Sequence, residues 1–382
     1  MIEKISRIFL EKFSNHPLIV RSPGRVNIIG EHTDYNEGFV LPAAIDKSIY
    51  IAVSKRDDDC IHLFAANFNE AFETSLPEIK ASGNWHTYIL GIVDQLVKRG
   101  YVISGFNLVI DGDVPAGAGL SSSAAVECAT VFALNELFEL AIDKMEMVKI
   151  AQMAEHCFAG VKCGIMDMFA SMFGKKDNAI KLDCRSLAHE YIPLHLEGYK
   201  LVLFNTNVKH SLASSEYNTR RQQCETGVAI IQQHYEHIKN LRDVDMMMLD
   251  EYVKAKDELV YRRCKYVVEE IERLNGACND LKNGNLLSLG KKIFATHEGL
   301  SKEYEVSCKE LDFLVDAVKG NLNVLGARMM GGGFGGCSIN IIKEENIEQL
   351  TVTLAAAYKT KMGMELTAYI VQTNDGTCVI NS

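Results

Sequence analysis

Eight polar residues crowd into one short stretch. In RSPGRVNIIGEHTDYNEG, Arg25, Asn27, Glu31, His32, Asp34, Tyr35, Asn36 and Glu37 surround the apolar pair Ile28 and Ile29. Glu31 and Asp34 offer acceptors, and His32 adds a group that can switch between donor and acceptor. That mixture suits hydroxyl groups, each of which donates once and accepts twice. A polyol or sugar is therefore a natural ligand, with a solvated loop as the plainer alternative. One His and two carboxylates in so tight a turn make a poor metal set.

A second stretch, VPAGAGLSSSAAVECATVFALNELF, runs from Val114 to Phe138. Gly117 and Gly119 let the backbone approach a ligand and take positive φ. Ser121, Ser122 and Ser123 can cap the following helix or offer hydroxyls. The first-turn amides of that helix lack intrahelical partners, and the macrodipole adds partial positive charge, so together they make an anion site. A plain Gly-Ser cap on a buried Ala helix is the alternative. The loop matches neither the Walker pattern, for want of Gly-Lys-Ser/Thr, nor the dinucleotide fingerprint, which has Gly where Ser122 stands. A third stretch, Gly331–Gly336, sets five glycines around one Phe. A hairpin turn needs fewer, and close approach of backbone to a ligand explains the excess better. Finally, AEHCFAGVKCGIMDMF places Glu155 at the end of one helix and Asp167 near the start of the next, where the helix dipole favours an ionised carboxylate. Each can equally be a cap or a surface charge.

These groups need a scaffold. The 382 residues are 47% hydrophobic, enough for a large core and, at roughly 150 residues per domain, for two or three domains. A net charge of -10 with no Lys/Arg-rich run argues against nucleic acid. The 11 scattered cysteines contain no C-x-x-C pair, which disfavours zinc. They read as reduced, mostly buried thiols of a cytoplasmic protein, with Cys157, Cys264 and Cys337 among apolar neighbours. No run approaches the roughly 18 apolar residues of a membrane span. MIEKISRIFLEKF reads as a surface helix rather than a secretory signal.

The first half is rich in strand candidates, FVLPAAIDKSIYIAVSKR and GFNLVIDGDVP among them. Helices are expected over WHTYILGIVDQLVKRG, 120–139 and 143–158, and from near Gly164. KLVLFNTNV reads as a strand opening the second half. Long amphipathic helices follow, one with Tyr217, Cys224, Val228 and Ile231 on one face and one with Cys264, Val267, Ile271 and Leu274. Short strands, Ala327–Met330 and Ser338–Ile342, are expected to flank the glycines. Without regular βαβ alternation the chain reads as α+β, divided into 1–195 and 196–382.

In order, GRVNIIGEHTDYNEG, GAGLSSSAA, CGIMD and GGGFGGC resemble the GHMP small-molecule kinases, and among them the galactokinase family; VKHSLASSEYNTRRQQCE and YEVSCKELD fit the same pattern. The resemblance spans roughly residues 20 to 340. It implies a two-domain fold, an N-terminal domain like ribosomal protein S5 domain 2 and a ferredoxin-like C-terminal domain, with the active site between them. It also implies transfer of phosphate from ATP, with Mg²⁺, to the anomeric hydroxyl of galactose by a monomer. Gly117, Ala118, Gly119, Leu120, Ser121, Ser122 and Ser123 would hold ATP, with Trp85 near the adenine. Ser123 and Glu155 would hold Mg²⁺. Glu31, His32, Thr33, Asp34, Gly164 and Tyr217 would bind the sugar. Asp167 would be the catalytic base and Arg25 its partner. Met168 and Met330 depart from the family pattern, which has Gln and Thr there. An N-acetylgalactosamine kinase, another sugar kinase of the superfamily and a non-catalytic sugar sensor remain as alternatives.

Overall fold

The computed structural model describes residues 1–115, 117–208 and 213–380. Ala116 of the Gly/Ser loop and Lys209–Leu212 of the VKHSLASSEYNTRRQQCE stretch lie outside the described residues.

Helix α1 (Ile2–Phe13) precedes strands β1 (Leu18–Asn27), β2 (Phe39–Val40), β3 (Pro42–Lys55), β4 (Cys60–Ala65) and β5 (Glu70–Ser75). Then come α2 (Thr87–Lys98), β6 (Phe106–Gly112), α3 (Ser122–Phe138), α4 (Lys144–Ala154) and α5 (Met166–Phe173). Strands β7 (Asn178–Asp183), β8 (His189–Pro193) and β9 (Tyr199–Asn205) lead into α6 (Ala213–Gln232), a short α7 (Met246–Met248), α8 (Glu258–Lys282), α9 (Leu286–Glu298) and α10 (Lys309–Val318). The chain closes with β10 (Val324–Met329), β11 (Cys337–Lys343), α11 (Ile347–Met362), β12 (Thr367–Val371) and β13 (Cys378–Val379).

Three sheets result, in the orders β13-β1-β3-β6-β4-β5, β10-β11-β9-β12 and β2-β7-β8. In the first, only β4 and β6 run parallel. Its period-2 alternation sorts side chains into two layers. Val20, Ile51, Val53 and Leu108 join the core under the helices α2 to α5, while Ile19, Ala52 and Val109 pack with Ile5 and Phe9 of α1. Helix α3 is apolar almost all round, as a helix buried on every side must be. Its Ala124, Ala125, Cys128 and Ala129 are fully or almost fully buried, and it packs directly on β1 and β3. The second sheet is covered by α9, α10 and α11, through Val315, Val318, Leu354 and Tyr358.

The chemical stretches fall where these layers meet. Strand β1 carries Arg25 and runs into the turn at 28–38. The hairpin between β10 and β11 carries the glycines, its strands a few residues longer than the sequence implied. The expected helix to residue 158 ends as α4 plus one wide π turn over Glu155–Ala159. One expectation fails: the eleven cysteines are unpaired, but only five are buried, and Cys157 is exposed. It sits on that π turn, whose outer side faces solvent although its neighbours in sequence are apolar.

Candidate active site

The turn at 28–38 is held from behind. Ile28 and Ile29 are buried anchors. The Gly30 amide donates to Glu270 Oε1 at 2.8 Å, and the Thr33 hydroxyl donates to the carbonyls of Gly30 and Phe39 at 3.0 and 2.6 Å. Thr33 thus braces the turn. His32 sits at φ +62°, a left-handed conformation uncommon for a residue with a Cβ, and Asn36 donates to its carbonyl at 3.0 Å.

Arg25 leaves β1 and meets Asp167 from the first turn of α5 in a two-pronged pair, Nε to Oδ1 at 2.8 Å and Nη2 to Oδ2 at 2.9 Å. Its third nitrogen, Nη1, donates to the Gly119 carbonyl at 2.6 Å. One guanidinium therefore ties β1, α5 and the Gly/Ser loop together. Burial works against the charge on Arg25, but Asp167 outweighs it and the pKa is raised. Ser121, at φ +57°, makes no side-chain cap on α3; its hydroxyl donates to Asp167 Oδ2. The offered-hydroxyl alternative, not the capping one, describes Ser121.

A cavity of about 340 Å³ opens beside this pair. Arg25, Glu31, His32, Asp34, Asp167 and Tyr217 line it, together with Ser123, Glu155, Gly164 and Gly331 to Gly333. The lining combines acceptors with donors, as a polyol needs. Burial first, then the charges of Asp167 and Glu31, raise the Asp34 pKa to about 7. Burial first, then Arg220 and Arg328, lower that of His32 to about 3. Burial holds the Tyr217 phenol well above its usual range. Gly164 is spatially required, because a Cβ there would lie 1.8 Å from Asp34 Oδ2.

Burial raises the Glu155 carboxyl, against the opposing pull of Glu127 and Ser123 nearby. Glu127, one turn along α3, is wholly buried beside Glu155, which adds to the burial in raising its pKa. The other sequence candidates fall outside this lining. Ala118 and Leu120 are buried in the core. Trp85 donates its indole N–H to Glu70 at 3.0 Å. Gly117, Gly119 and Ser122 belong to the loop and first turn leading into α3. Met168 and Met330 are both buried in the main core, and Met168 also lines the cavity.

Sequence reasoning passed over Arg328. It is fully buried on β10 and donates through Nη1 and Nη2 to Glu31 Oε1, each at 3.1 Å. It also bonds the carbonyls of Ile28 at 3.0 Å, Met329 at 2.6 Å and Asn27. The Gly331 amide adds a third bond to Glu31 Oε1, at 2.7 Å. The glycine hairpin is thereby latched to the turn. The available signal was one cation in an apolar strand, which cannot be buried without a partner.

Comparison with known proteins bears on this arrangement. Residues 7–55 match the galactokinase galactose-binding signature, 87–175 the N-terminal domain of GHMP kinases and 277–360 their C-terminal domain. The galactokinase of Thermotoga petrophila is 43% identical over 94% of this chain and 98% of its own, and that of Clostridium acetobutylicum is 40% identical over 99% and 98%. The chain belongs to the galactokinase family. The structure of Lactococcus lactis galactokinase complexed with galactose superimposes with a TM-score of 0.95, at 33% identity, over 99% of this chain and all of that one. Mevalonate kinase of Methanococcus jannaschii, 21% identical over 94% and 99% of the two chains, shares the GHMP kinase fold at a TM-score of 0.65. Within the galactokinase family the α+β reading therefore becomes the two-domain GHMP kinase fold. Among the described residues, no helix is long and apolar enough to cross a membrane.

Proposed function

We propose that this chain is an active kinase that transfers the γ-phosphoryl group of ATP to the anomeric hydroxyl of D-galactose, giving galactose 1-phosphate and ADP. The observation that carries this reading is the Arg25–Asp167 pair, set between the hydroxyl-binding turn and the amino end of α3. Residues 1–195 would supply the sugar turn and the phosphate loop, and 196–382 the glycine hairpin that faces them.

Phosphoryl transfer is catalysed chiefly by positioning and charge stabilisation. Glu31, His32, Asp34, Gly164 and Tyr217 would seat the sugar. The segment Gly117–Ser123, with the first-turn amides of α3, would hold the phosphates, and Trp85 would lie near the adenine. Asp167 receives the proton of the C1 hydroxyl. An ionised Asp is a weak base towards an alcohol, so transfer becomes favourable late, as the new P–O bond makes the hydroxyl acidic. The sugar oxygen bonds to the γ-phosphorus while the bond to the β–γ bridging oxygen breaks and ADP leaves. Arg25 grips the Asp167 carboxylate through two nitrogens and holds it in place. Ser121 donates to the same carboxylate and limits its rotation.

Ser123 and Glu155 supply hard oxygen donors close together, which fits Mg²⁺, an ion usually held by one or two carboxylates plus substrate phosphates. When bound there, Mg²⁺ supplies positive charge for the phosphate oxygens.

The test is ADP formation by the purified protein over galactose, N-acetylgalactosamine, arabinose, glucose and mevalonate, with galactose expected to win. Asp167→Asn should cut kcat at least about 1000-fold, the scale of a lost proton acceptor plus lost positioning, while galactose still binds. Near-normal kcat in that variant would remove Asp167 from the reaction.

A further inference from the structure

His32 is backed by a chain of hydroxyls that the proposed reaction does not use. Its Nδ1 lies 2.8 Å from the Tyr35 hydroxyl, which lies 2.7 Å from the Tyr304 hydroxyl, which lies 3.3 Å from Cys224 Sγ. Three separate parts of the chain contribute: the turn, the segment before α10, and α6. Ring packing fixes the set, with His32 4.9 Å from Tyr304 and 5.2 Å from Tyr217 between centroids. Among the described residues His32 Nε2 has no hydrogen-bond partner, although the ring is buried and lines the cavity.

The direction of the chain follows from what each group can carry. His32 is neutral, so one ring nitrogen bears a proton and the other does not. Tyr35 and Tyr304 are phenols held protonated by burial. With Nδ1 engaged by Tyr35, Nε2 is the nitrogen left for the cavity, which Glu31 and Asp167 also line. A bare nitrogen there would add one more acceptor to an acceptor-rich lining, whereas an N–H complements it, so the proton belongs on Nε2.

We propose that Tyr35 is a positioning residue: backed by Tyr304 and Cys224, its hydroxyl donates to Nδ1 and fixes His32 as the Nε2–H tautomer, a neutral hydrogen-bond donor presented to the sugar. This deepens the galactokinase reading and rests on it. The carboxylates of Glu31 and Asp167 can only accept. A sugar hydroxyl that donates to one of them keeps lone pairs that need a donor. His32 supplies one without adding a second full positive charge beside Arg25. The opposite tautomer would turn another acceptor towards the sugar and leave that hydroxyl half satisfied.

The test uses the full chain with ¹⁵N-labelled histidine, and His32 is assigned by the signal lost in His32→Gln. Two-bond proton–nitrogen spectra recorded without sugar or nucleotide should show Nε2 protonated and Nδ1 bare. In Tyr35→Phe the Nδ1 resonance should move, and the galactose Kd, from calorimetry, should rise about tenfold, or ~1.4 kcal/mol. A protonated Nδ1 in the wild-type protein overturns the proposal, as does a Tyr35→Phe protein that binds galactose as tightly as wild type. If Tyr35→Phe does not fold, Tyr304→Phe takes its place, because it removes the hydroxyl behind Tyr35; an unmoved Nδ1 resonance there overturns the relay. The tautomer is read in the empty protein. Failure of the galactokinase reading would appear separately, as no galactose-dependent ADP formation by wild type.

Discussion

Replacing Arg328 by Met keeps most of the side-chain volume and removes the fork. The change deletes two bonds to Glu31 Oε1 and those to the carbonyls of Ile28, Asn27 and Met329, all buried. Glu31, whose side chain is 3% exposed, is left with the Gly331 amide as its remaining bond on that oxygen. Removing one partner of a buried ion pair typically costs about 3–5 kcal/mol, because a charge stays behind without compensation. We expect Arg328→Met to lose that amount in urea unfolding followed by circular dichroism, at unchanged slope. Neutralising the stranded carboxylate should recover part of it. The double variant Glu31→Gln/Arg328→Met should therefore be more stable than the sum of the singles by about 2 kcal/mol, within the range found for directly coupled pairs. Arg328→Lys should fail to rescue fully, since a point charge cannot bond several acceptors in one plane. An Arg328→Met protein within about 1 kcal/mol of wild type, or strictly additive singles, would refute the latch.

Three further outcomes are expected. Asp34, raised from 3.8 to about 7, binds more protons folded than unfolded between those values, so its contribution to stability falls as pH rises through that window. His32, lowered from 6.5 to about 3, binds fewer when folded, so its contribution rises over nearly the same window. Asp34→Asn should therefore make stability climb more steeply from about pH 4 to 6.5, and His32→Gln should make it climb less; denaturation profiles parallel to wild type would contradict both assignments. Gly164→Ala should push the Asp34 carboxylate aside, raise the galactose KM about tenfold and cost about 1–3 kcal/mol of stability, and an unchanged KM would show that the wall yields elsewhere. Glu155→Gln should weaken binding of Mn²⁺ to the ADP-loaded protein about tenfold, read by paramagnetic resonance; equal affinity would place the ion on other groups.

Part of the cavity was legible because hydroxyl recognition demands particular residue types, and those of the Arg25–Asp34 turn stand close together in the chain; Gly164, Asp167 and Tyr217 were tied to it by the family resemblance. Arg25, Glu31, His32, Asp34, Asp167 and Tyr217 do meet around one cavity. What stayed hidden depends on pairing across long sequence distances. Arg328 and Glu31 are 297 positions apart, and nothing local in GARMMGGG names the partner. Glu127 looked like one polar residue in an Ala-rich helix, yet it is fully buried beside Glu155. Ser121 could cap or offer its hydroxyl, and the choice is made by α5, which brings Asp167 to that hydroxyl. The fold was readable at the level of strands and amphipathic helices, since period carries that information. The small sheet β2-β7-β8 was not, because its two-residue strand Phe39–Val40 is too short to show a period and pairs with Leu182 and Asp183. The exposure of Cys157 was missed for a related reason: apolar neighbours in sequence do not decide which side of a π turn faces water.

The pairing of β13 with β1 couples the order of synthesis to the order of assembly. Val379 and Cys378 align with Val20 and Arg21 on the strand that goes on to present Arg25, and Thr377 bonds both Ser22 and the Ser171 carbonyl. A nascent chain can form the inner strands of that sheet early, but its flank at β1 stays open until residues 377–379 have emerged. The strand bearing Arg25 is thus flanked on that side only once residues 377–379 are present, and removing them would be felt some 350 positions upstream.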